Sequence, residues 1–224
     1  IVFVSRFRAA RRDLWTMAWI VFAGVLLQAA VGGILVIFAL HPNMVAFHYL
    51  VSLALVAVSA AFLVRMGQPR GARERTVPKG VAILVHLTSF VLALTVLVGV
   101  LTTGAGPHSG DPEVTLRNGF DATLLEHVHS WPAYALFALT LTLLVISLAT
   151  GLPEIRSAVI ALLAIELVQI AVGLYQARNA LPPLAVGVHM VLAAVLVAAC
   201  TVLVLRLKRP AESAAAEAAV RTAS

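Results

Sequence analysis

The stretch Leu26-Leu-Gln-Ala-Ala-Val-Gly-Gly33 returns 141 residues later as Leu167-Val-Gln-Ile-Ala-Val-Gly-Leu174. The same shift aligns a proline, a histidine and an arginine: Pro42 with Pro183, His48 with His189, and Arg65 with Arg206. Apolar bias alone explains matches among Leu, Val and Ala, but it does not explain matches at Gln, Gly, Pro, His and Arg. The sequence therefore predicts an internal repeat. Each unit is an apolar helix, a short turn and a second helix with a histidine near its start.

The composition excludes a water-soluble globular domain. Of the 224 residues 61% are hydrophobic and 12% charged, and the mean hydropathy is +1.00, whereas soluble domains are about 45–50% apolar and about 25% charged. Disorder is excluded as well, because it needs low hydrophobicity and high charge. The net charge of +6 is spread between apolar runs rather than gathered in a patch, so we expect a lipid bilayer and no nucleic acid as partner. The lone Cys200 excludes an internal disulfide.

Six apolar runs are long enough to cross a bilayer, which takes about 20 residues in a helix. They lie at 14–40, 44–64, 80–102, 125–150, 157–176 and 184–205. Only helices and closed barrels satisfy their backbone groups in hydrocarbon, and these runs are too long and too continuously apolar for barrel strands. The predicted fold class is all-α, a polytopic membrane protein with six transmembrane helices.

Basic residues occupy alternate connections between these runs. The only basic residues in the loops 41–43, 103–124 and 177–183 are Arg117 and Arg178, whereas the other connections and both ends contain most of the arginines. The positive-inside rule therefore predicts that both termini are cytoplasmic.

The two repeat units run in the same direction, so the repeat is parallel. If the ancestral module had four helices, residues 80–209 form one complete four-helix half that we expect to bind haem. Residues 1–66 form the second helix pair of another half, 67–79 a cytoplasmic linker and 210–224 a disordered cytoplasmic tail. The chain starts at Ile1, and its first arginines follow an apolar tripeptide instead of preceding it. We therefore expect an N-terminally truncated chain that lacks two helices.

Three of the seven histidines are predicted to share one layer near the outer surface. These are His48, His129 and His189, on three different helices. Histidine is a common ligand of haem iron, and bundle cores hold such cofactors between facing helices. We expect His129 and His189 to clamp one haem, and His48, as the repeat equivalent of His189, to be an iron ligand too. The alternative is that interfacial histidines hydrogen-bond headgroups or neighbouring helices.

The other histidines are assigned different places. His86 lies near the cytoplasmic end of its helix and does not share the outer layer, and His41 and His108 are predicted in loops. His127 lies about 200° around the helix from His129 and is expected at the lipid interface or in packing. The Gly-rich stretch 103–111 lacks the lysine of a nucleotide loop and is expected to form tight external turns.

A glutamate and two glutamines lie close to these histidines in sequence. Glu126 precedes His129 by three residues and shares its helical face, which suits a carboxylate that orients the histidine or relays protons. The alternative is a capping box formed by Thr123 and Glu126. Gln28 and Gln169 each lie four residues before a glycine of the repeat. Either glutamine is suited to bonding across helices or to a polar ligand edge.

Glu166 lies in the middle of an apolar run, three residues before Gln169. It is expected to face the bundle interior, because ionisable groups are costly in lipid. We favour an interhelical hydrogen bond in the protonated form over a proton relay, because the first repeat has Val25 at this position.

The motifs together resemble haem A synthase, especially its actinobacterial members, over residues 15–207. They are residues 27–33 followed by His48, the stretch Thr103-Gly-Ala-Gly-Pro-His-Ser-Gly-Asp111, Leu124-Leu-Glu-His-Val-His129, and Gln169 with Gly173 and His189. The resemblance implies eight helices in two four-helix halves, each half with a pair of histidines. It implies that His129 and His189 are axial ligands of haem b, and that His48 belongs to the pair at which the substrate haem O reacts.

The activity implied by the resemblance is oxidation of the C8 methyl of haem O to a formyl group, which yields haem A for terminal oxidases. The implied location is the bacterial cell membrane. Haem O synthase is an expected partner, the electron acceptor is not identified, and a homo-oligomer is left open. From their positions beside the histidines, rather than from the resemblance, Glu126 is assigned to catalysis together with His48, and Gln28 and Gln169 are assigned to cofactor contact.

The chain departs from the family pattern in three ways. The first two helices are absent, including one with a Glu-x-x-His motif, so we expect this chain to be inactive alone. The loop 103–124 has no cysteine pair, and Glu126 and His129 place a Glu-x-x-His spacing in the second half. The main alternative is a bis-histidine b-type cytochrome for electron transfer. A small transporter or a structural membrane protein is a third interpretation.

Overall fold

The computed structural model describes residues 1–6, 8–107 and 116–211. Its elements are α1 (Val2–Arg6), α2 (Arg12–Ile37), α3 (Pro42–Met66), β1 (Arg73–Arg75), α4 (Lys79–Ala105), α5 (Ala122–Ala149), α6 (Pro153–Arg178), α7 (Pro183–Leu205) and β2 (Lys208–Pro210). The helices α2 to α7 are all long and apolar enough to cross a membrane. The prediction of an all-α polytopic membrane protein is therefore confirmed.

Several helix ends differ from the predicted ones by three or four residues. The first run was predicted to continue to residue 40, because no Gly or Pro interrupts the apolar stretch. The α2 helix instead ends at Ile37. The α6 helix begins at Pro153, four residues before the predicted start, since proline is suited to the first helical position. The α4 helix continues to Ala105, so the first residues of the predicted turn stretch 103–111 are helical. Residues 108–111 lie outside the described residues.

The internal repeat has a matching backbone in the two turns. Ala39 and Leu40 have φ of 50° and 52°, and Ala180 and Leu181, 141 positions later, have φ of 57° and 54°. Such values are uncommon for residues other than glycine. The amide of Leu40 donates to the carbonyl of Leu35 at 2.8 Å, and the equivalent bond from Leu181 is 2.9 Å long. The two hairpins α2–α3 and α6–α7 are thus the same structural unit.

The helices α4 to α7 form a closed bundle. Each packs against the next, and α7 returns to contact α4. Its core takes one fully buried large residue from each helix: Val85, Leu143, Leu162 and Leu203. The α2–α3 pair packs mainly through α3 against α7. We call the end where α3, α5 and α7 begin the histidine end, and the opposite end the basic end.

A single hydrogen bond marks the symmetry between the two repeat units. The hydroxyl of Tyr49 on α3 donates to the carbonyl of Met190 on α7 at 2.7 Å, and these positions are equivalent in the repeat. Contact between equivalent positions places a pseudo-two-fold axis between α3 and α7.

A two-stranded antiparallel ribbon lies at the basic end and was not predicted. Arg73 of β1 is opposite Pro210 of β2, and Arg75 is opposite Lys208. The amide of Ala211 then donates to the carbonyl of Ala72 at 3.0 Å. Both strands are short and carry no alternation of apolar and polar residues, which is the usual sequence signal of a strand. Of the predicted tail, residues 212–224 lie outside the described residues.

The outer surface of the helices is apolar. Large exposed side chains occur along all six long helices, including Phe22, Phe47, Phe90, Trp131, Leu174 and Leu184. A monomeric soluble protein rarely exposes so much contiguous apolar surface. The chain is therefore a multi-pass membrane protein whose helices face lipid.

Candidate functional site

Two histidines face each other at the histidine end of the α4–α7 bundle. His129 lies in the second turn of α5 and His189 in the second turn of α7. Their ring centroids are 6.4 Å apart and the ring planes make an angle of 72°. Metal–nitrogen bonds to histidine are about 2 Å long, so two imidazoles on opposite sides of one ion have nitrogens about 4 Å apart. Because a ring centroid lies behind its nitrogen, centroids 6.4 Å apart match this nitrogen separation if the two nitrogens point toward each other.

Each imidazole packs on a glycine of the preceding helix. A methyl group at Gly99 of α4 would lie 2.8 Å from Cε1 of His129, and one at Gly173 of α6 would lie 3.2 Å from Cε1 of His189. The third contact, from Gly32 to His48, is looser at 3.6 Å. The absence of a side chain at these glycines lets the rings approach the helix backbone. We call these three contacts the glycine notches.

The Nδ1 atoms of His48, His129 and His189 are buried and have no hydrogen-bond partner within the described ranges. The backbone of Thr95, four residues before Gly99, faces the His129 ring, and the backbone of Gln169 faces the His189 ring. Neither backbone makes a hydrogen bond to Nδ1 of the ring. In metal sites a backbone carbonyl commonly takes the proton of one ring nitrogen, which leaves the other for the metal. The surroundings of both rings fit an iron ligand.

The two repeat glutamines hold the histidine-bearing helices. The side-chain amide of Gln28 donates to the backbone carbonyl of His48 at 2.7 Å and to the hydroxyl of Ser52 at 2.6 Å. The amide of Gln169 donates to the carbonyl of His189 at 3.1 Å. Of the two roles considered from sequence, the structure shows the bond across helices. Oε1 of Gln169 is buried and has no partner among the residues described.

Glu126 lies in the second turn of α5 and is exposed. The carboxylate of Asp121 caps this helix by accepting from the amide of Leu124 at 2.8 Å. The helix therefore begins at Ala122, which puts Thr123 inside it. The alternative of a capping box between Thr123 and Glu126 is wrong, because an aspartate better suited to the cap lies two residues earlier. In the described part of the chain, Glu126 has no hydrogen bond or ion pair.

A polar layer crosses the bundle core below the histidine pair, with one side chain from each helix. Thr140 of α5 donates to Oε1 of Glu166 on α6 at 2.7 Å, and Ser89 of α4 lies 3.2 Å from the thiol of Cys200 on α7. Ser89 precedes Gly99 by ten residues, so the layer lies about 15 Å from the histidines along the helix axis. Glu166 is 3% exposed. It faces the interior and bonds between helices, as expected from sequence.

The remaining histidines lie apart from the facing pair. His48 packs against α2 through Gly32. The ring of His41 accepts from the amide of Asn43 and caps α3, while His86 lies near the start of α4 at the basic end. His127 is exposed and contacts the carbonyl of Thr123, and His108 lies outside the described residues. No three side chains of His, Cys, Asp or Glu cluster within residues 1–6, 8–107 and 116–211.

Sequence reasoning missed Gly99 and Thr95. In the repeat hairpins the glycine and the histidine are separated by 16 residues, as in Gly173 and His189, whereas Gly99 and His129 are separated by 30. The shift of 141 residues that defines the repeat therefore does not detect the notch between Gly99 and His129. A small residue in an apolar helix, aligned in depth with a histidine of the next helix, was the only available sign.

The model of the COX15-CtaA family, described as cytochrome oxidase assembly protein, matches residues 1–201. No curated protein matches the chain, and no solved structure does. Because the match covers most of the chain and all six long helices except the end of α7, the chain belongs to the COX15-CtaA family of cytochrome oxidase assembly proteins, the haem A synthase family.

Proposed function

We propose that the chain belongs to a haem A synthase, an enzyme that oxidises the C8 methyl of haem O to a formyl group, with a b-type haem between His129 and His189. The observation that carries the proposal is the pair of facing imidazoles with ring centroids 6.4 Å apart. Family membership supports the same pathway, haem A synthesis for terminal oxidases. A bound haem b supplies one-electron transfer at this site.

The residues around the pair orient the two imidazoles before any cofactor binds. Gly99 and Gly173 hold the Cε1 edges of the rings against the preceding helices. Nδ1 of both rings is buried, so Nε2 is the nitrogen assigned to the iron. The bond from Gln169 to the carbonyl of His189 fixes the helix that carries the second ligand. Ligands held in this way lose little entropy when the metal binds.

The substrate haem O is assigned to the α2–α3 side, with His48 as its contact. His48 has the same glycine notch and the same glutamine bond as His189, so it presents its ring in the same way. Glu126 lies exposed one turn before His129 and is assigned the exchange of protons between the site and the aqueous phase. The formyl oxygen and the acceptor of the electrons removed from the methyl group both come from outside the chain and are not identified, and haem O synthase supplies the substrate.

The second candidate is a bis-histidine cytochrome for electron transfer. The facing pair His129 and His189 favours it as strongly as it favours the synthase, because both need two axial ligands. The two candidates differ in what happens to haem O.

The test has two parts. The purified chain should show a Soret band, which His129→Ala and His189→Ala should each abolish as a stable b-type signal, because one axial ligand is lost. His127→Ala, an exposed neighbour on α5, is the matched control and should keep the band. A chain without a Soret band, or intact spectra in both ligand variants, contradicts the haem site.

The second part separates the two candidates. The full-length gene is expressed beside a haem O synthase in a host without its own haem A, and the extracted haems are separated by chromatography. Appearance of haem A supports the synthase. A Soret band with haem O unchanged supports the electron carrier instead.

A further inference from the structure

A cavity of about 140 Å³ lies at the basic end, far from the histidine pair. Its lining comes from both parts of the molecule: Arg65, Arg73, His86, Val204, Leu205, Leu207 and Lys208. The cavity therefore lies at the seam between the α2–α3 pair and the α4–α7 bundle, beside the β1–β2 ribbon. It includes His86, which the proposed function does not use.

The lining is strongly cationic. It carries two arginines, one lysine and one histidine, and none of its residues is acidic. Two carboxylates of the basic end are engaged elsewhere, since Asp13 pairs with Arg11 at 3.2 Å and Glu154 with Arg209 at 2.9 Å. Side chains alternate along a strand, so Glu74 points away from the face on which Arg73 lines the cavity. The positive charge of the cavity is thus not neutralised by these groups.

Arg65 differs from its repeat equivalent in a way that points to a ligand. The guanidinium of Arg206 donates to the hydroxyl of Ser157 on α6. At the position equivalent to Ser157, the hydroxyl of Thr16 instead donates to the carbonyl of Arg12 at 3.0 Å. Nε of Arg65 is buried without a hydrogen-bond partner in the part of the chain described. A buried guanidinium nitrogen without an acceptor is costly, and an anion in the cavity would provide one.

We propose that this cavity binds the phosphate group of an anionic ligand. Arginine recognises phosphate through paired N–H donors, and Arg65 and Arg73 approach the cavity from two different elements. The same chemistry has two sources here, the headgroup of an anionic phospholipid and free phosphate in solution. Basic pockets between transmembrane helices on the cytoplasmic side are suited to lipid headgroups. The apolar lining by Val204, Leu205 and Leu207 adds a surface for the glycerol and the first acyl carbons.

A ligand bound in this cavity would link the α2–α3 pair to the α4–α7 bundle. Arg65 belongs to α3 and Arg73 to β1, whereas His86 belongs to α4 and Lys208 to β2. A phosphate contacted from both sides offsets the repulsion among these cations. We therefore expect the ligand to stabilise the packing of α3 against α7 and α4.

The experiment compares ligands on the purified, delipidated full chain. Native mass spectrometry and thermal unfolding are recorded with phosphatidylglycerol, with phosphatidylcholine and with inorganic phosphate. The variant Arg65→Gln/Arg73→Gln should weaken binding about tenfold or more, since two charge-assisted hydrogen bonds are lost. The matched control Arg8→Gln/Arg12→Gln removes the same charge from exposed positions outside the cavity and should bind like the unchanged chain.

Each outcome decides the proposal. Binding of phosphatidylglycerol that fails in the cavity variant alone supports a lipid headgroup, and the same pattern with inorganic phosphate supports a soluble ligand. Equal weakening of binding in both double variants shows general charge attraction and overturns the site. A ligand that binds neither variant differently from the unchanged chain, or does not bind at all, overturns it too. If the double variant does not fold, Lys208→Gln is tested in its place, with an expected loss of severalfold.

Discussion

The hairpins α2–α3 and α6–α7 have the same local structure but different neighbours. Both have a turn with two consecutive positive φ values, a glutamine that donates to the carbonyl of a histidine, and a glycine against the histidine ring. Among the residues that the structure describes, His189 alone of the two repeat histidines faces a second imidazole, because α7 packs in a closed bundle with α5 and its His129. The hairpin thus presents a histidine, and the surrounding helices decide whether that histidine belongs to a pair.

The two hairpins also differ in how tightly the ring is held. The glycine notch of α6–α7 is closer than that of α2–α3, 3.2 Å against 3.6 Å, and the notch of α4–α5 is the closest at 2.8 Å. Conversely, Gln28 makes two hydrogen bonds and Gln169 makes one. The rings of His129 and His189 are thus packed more tightly against their glycines, whereas the helix that carries His48 has one more hydrogen bond from the repeat glutamine.

The largest effect is expected from Gly99→Ala. Its methyl group would overlap with the His129 ring at 2.8 Å, and overpacking of this kind costs about 1–3 kcal/mol. We expect the haem retained per purified chain to fall about tenfold, which corresponds to 1.4 kcal/mol, measured by the pyridine haemochrome assay.

Two controls accompany this variant. Gly80→Ala lies on the same helix with open space around it, and Gly32→Ala meets His48 at an ordinary contact distance of 3.6 Å. Both should retain haem as the unchanged chain does. Full haem retention in Gly99→Ala would show that the notch does not position the ring.

A smaller effect is expected from replacing the glutamines. Gln28→Leu removes two hydrogen bonds and Gln169→Leu removes one, and such bonds between membrane helices contribute about 0.6 kcal/mol each on average. The free energy of unfolding, measured by denaturant titration in detergent micelles, should therefore fall by about 1 kcal/mol in the first variant and about half as much in the second. The reverse order would contradict the polar anchoring of His48.

The smallest effect is expected from Glu166→Val, which gives α6 the residue that α2 has at Val25. The variant loses the bond from Thr140 to Glu166, and such bonds between membrane helices contribute about 0.6 kcal/mol on average. Glu166→Gln keeps an acceptor for Thr140 and is the matched control. Thermal unfolding of both variants checks this expectation, and a drop of several kcal/mol in Glu166→Gln would instead require a role for the ionisable carboxyl.

Much of the fold was predictable because the interior of a lipid bilayer permits few backbone structures. A run of about 20 apolar residues must be a helix there, so all six long helices were predicted within a few residues of their ends. The turn at Ala39 and Leu40 was missed because apolar residues adopt its left-handed backbone without Gly or Pro as a marker. The ribbon was missed because its strands are three residues long and charged.

The candidate site was predictable in part. His48, His129 and His189 were assigned to one layer by counting residues from the helix ends, and the bonds of Gln28 and Gln169 across helices were among the roles considered. The cap by Asp121 and the notch at Gly99 were not recognised. The notch depends on the relative depth of two neighbouring helices, which the sequence does not encode as a fixed spacing.

By itself the sequence determined the six long apolar helices, the parallel repeat and the residues available as ligands, because hydrophobic length and residue type act locally along the chain. The tertiary structure alone decided which glycines touch the histidines and where Arg65 meets Arg73, His86 and Lys208. These relations depend on how helices distant in sequence pack, because side-chain contacts between helices are set by axial depth and rotation rather than by the order of residues.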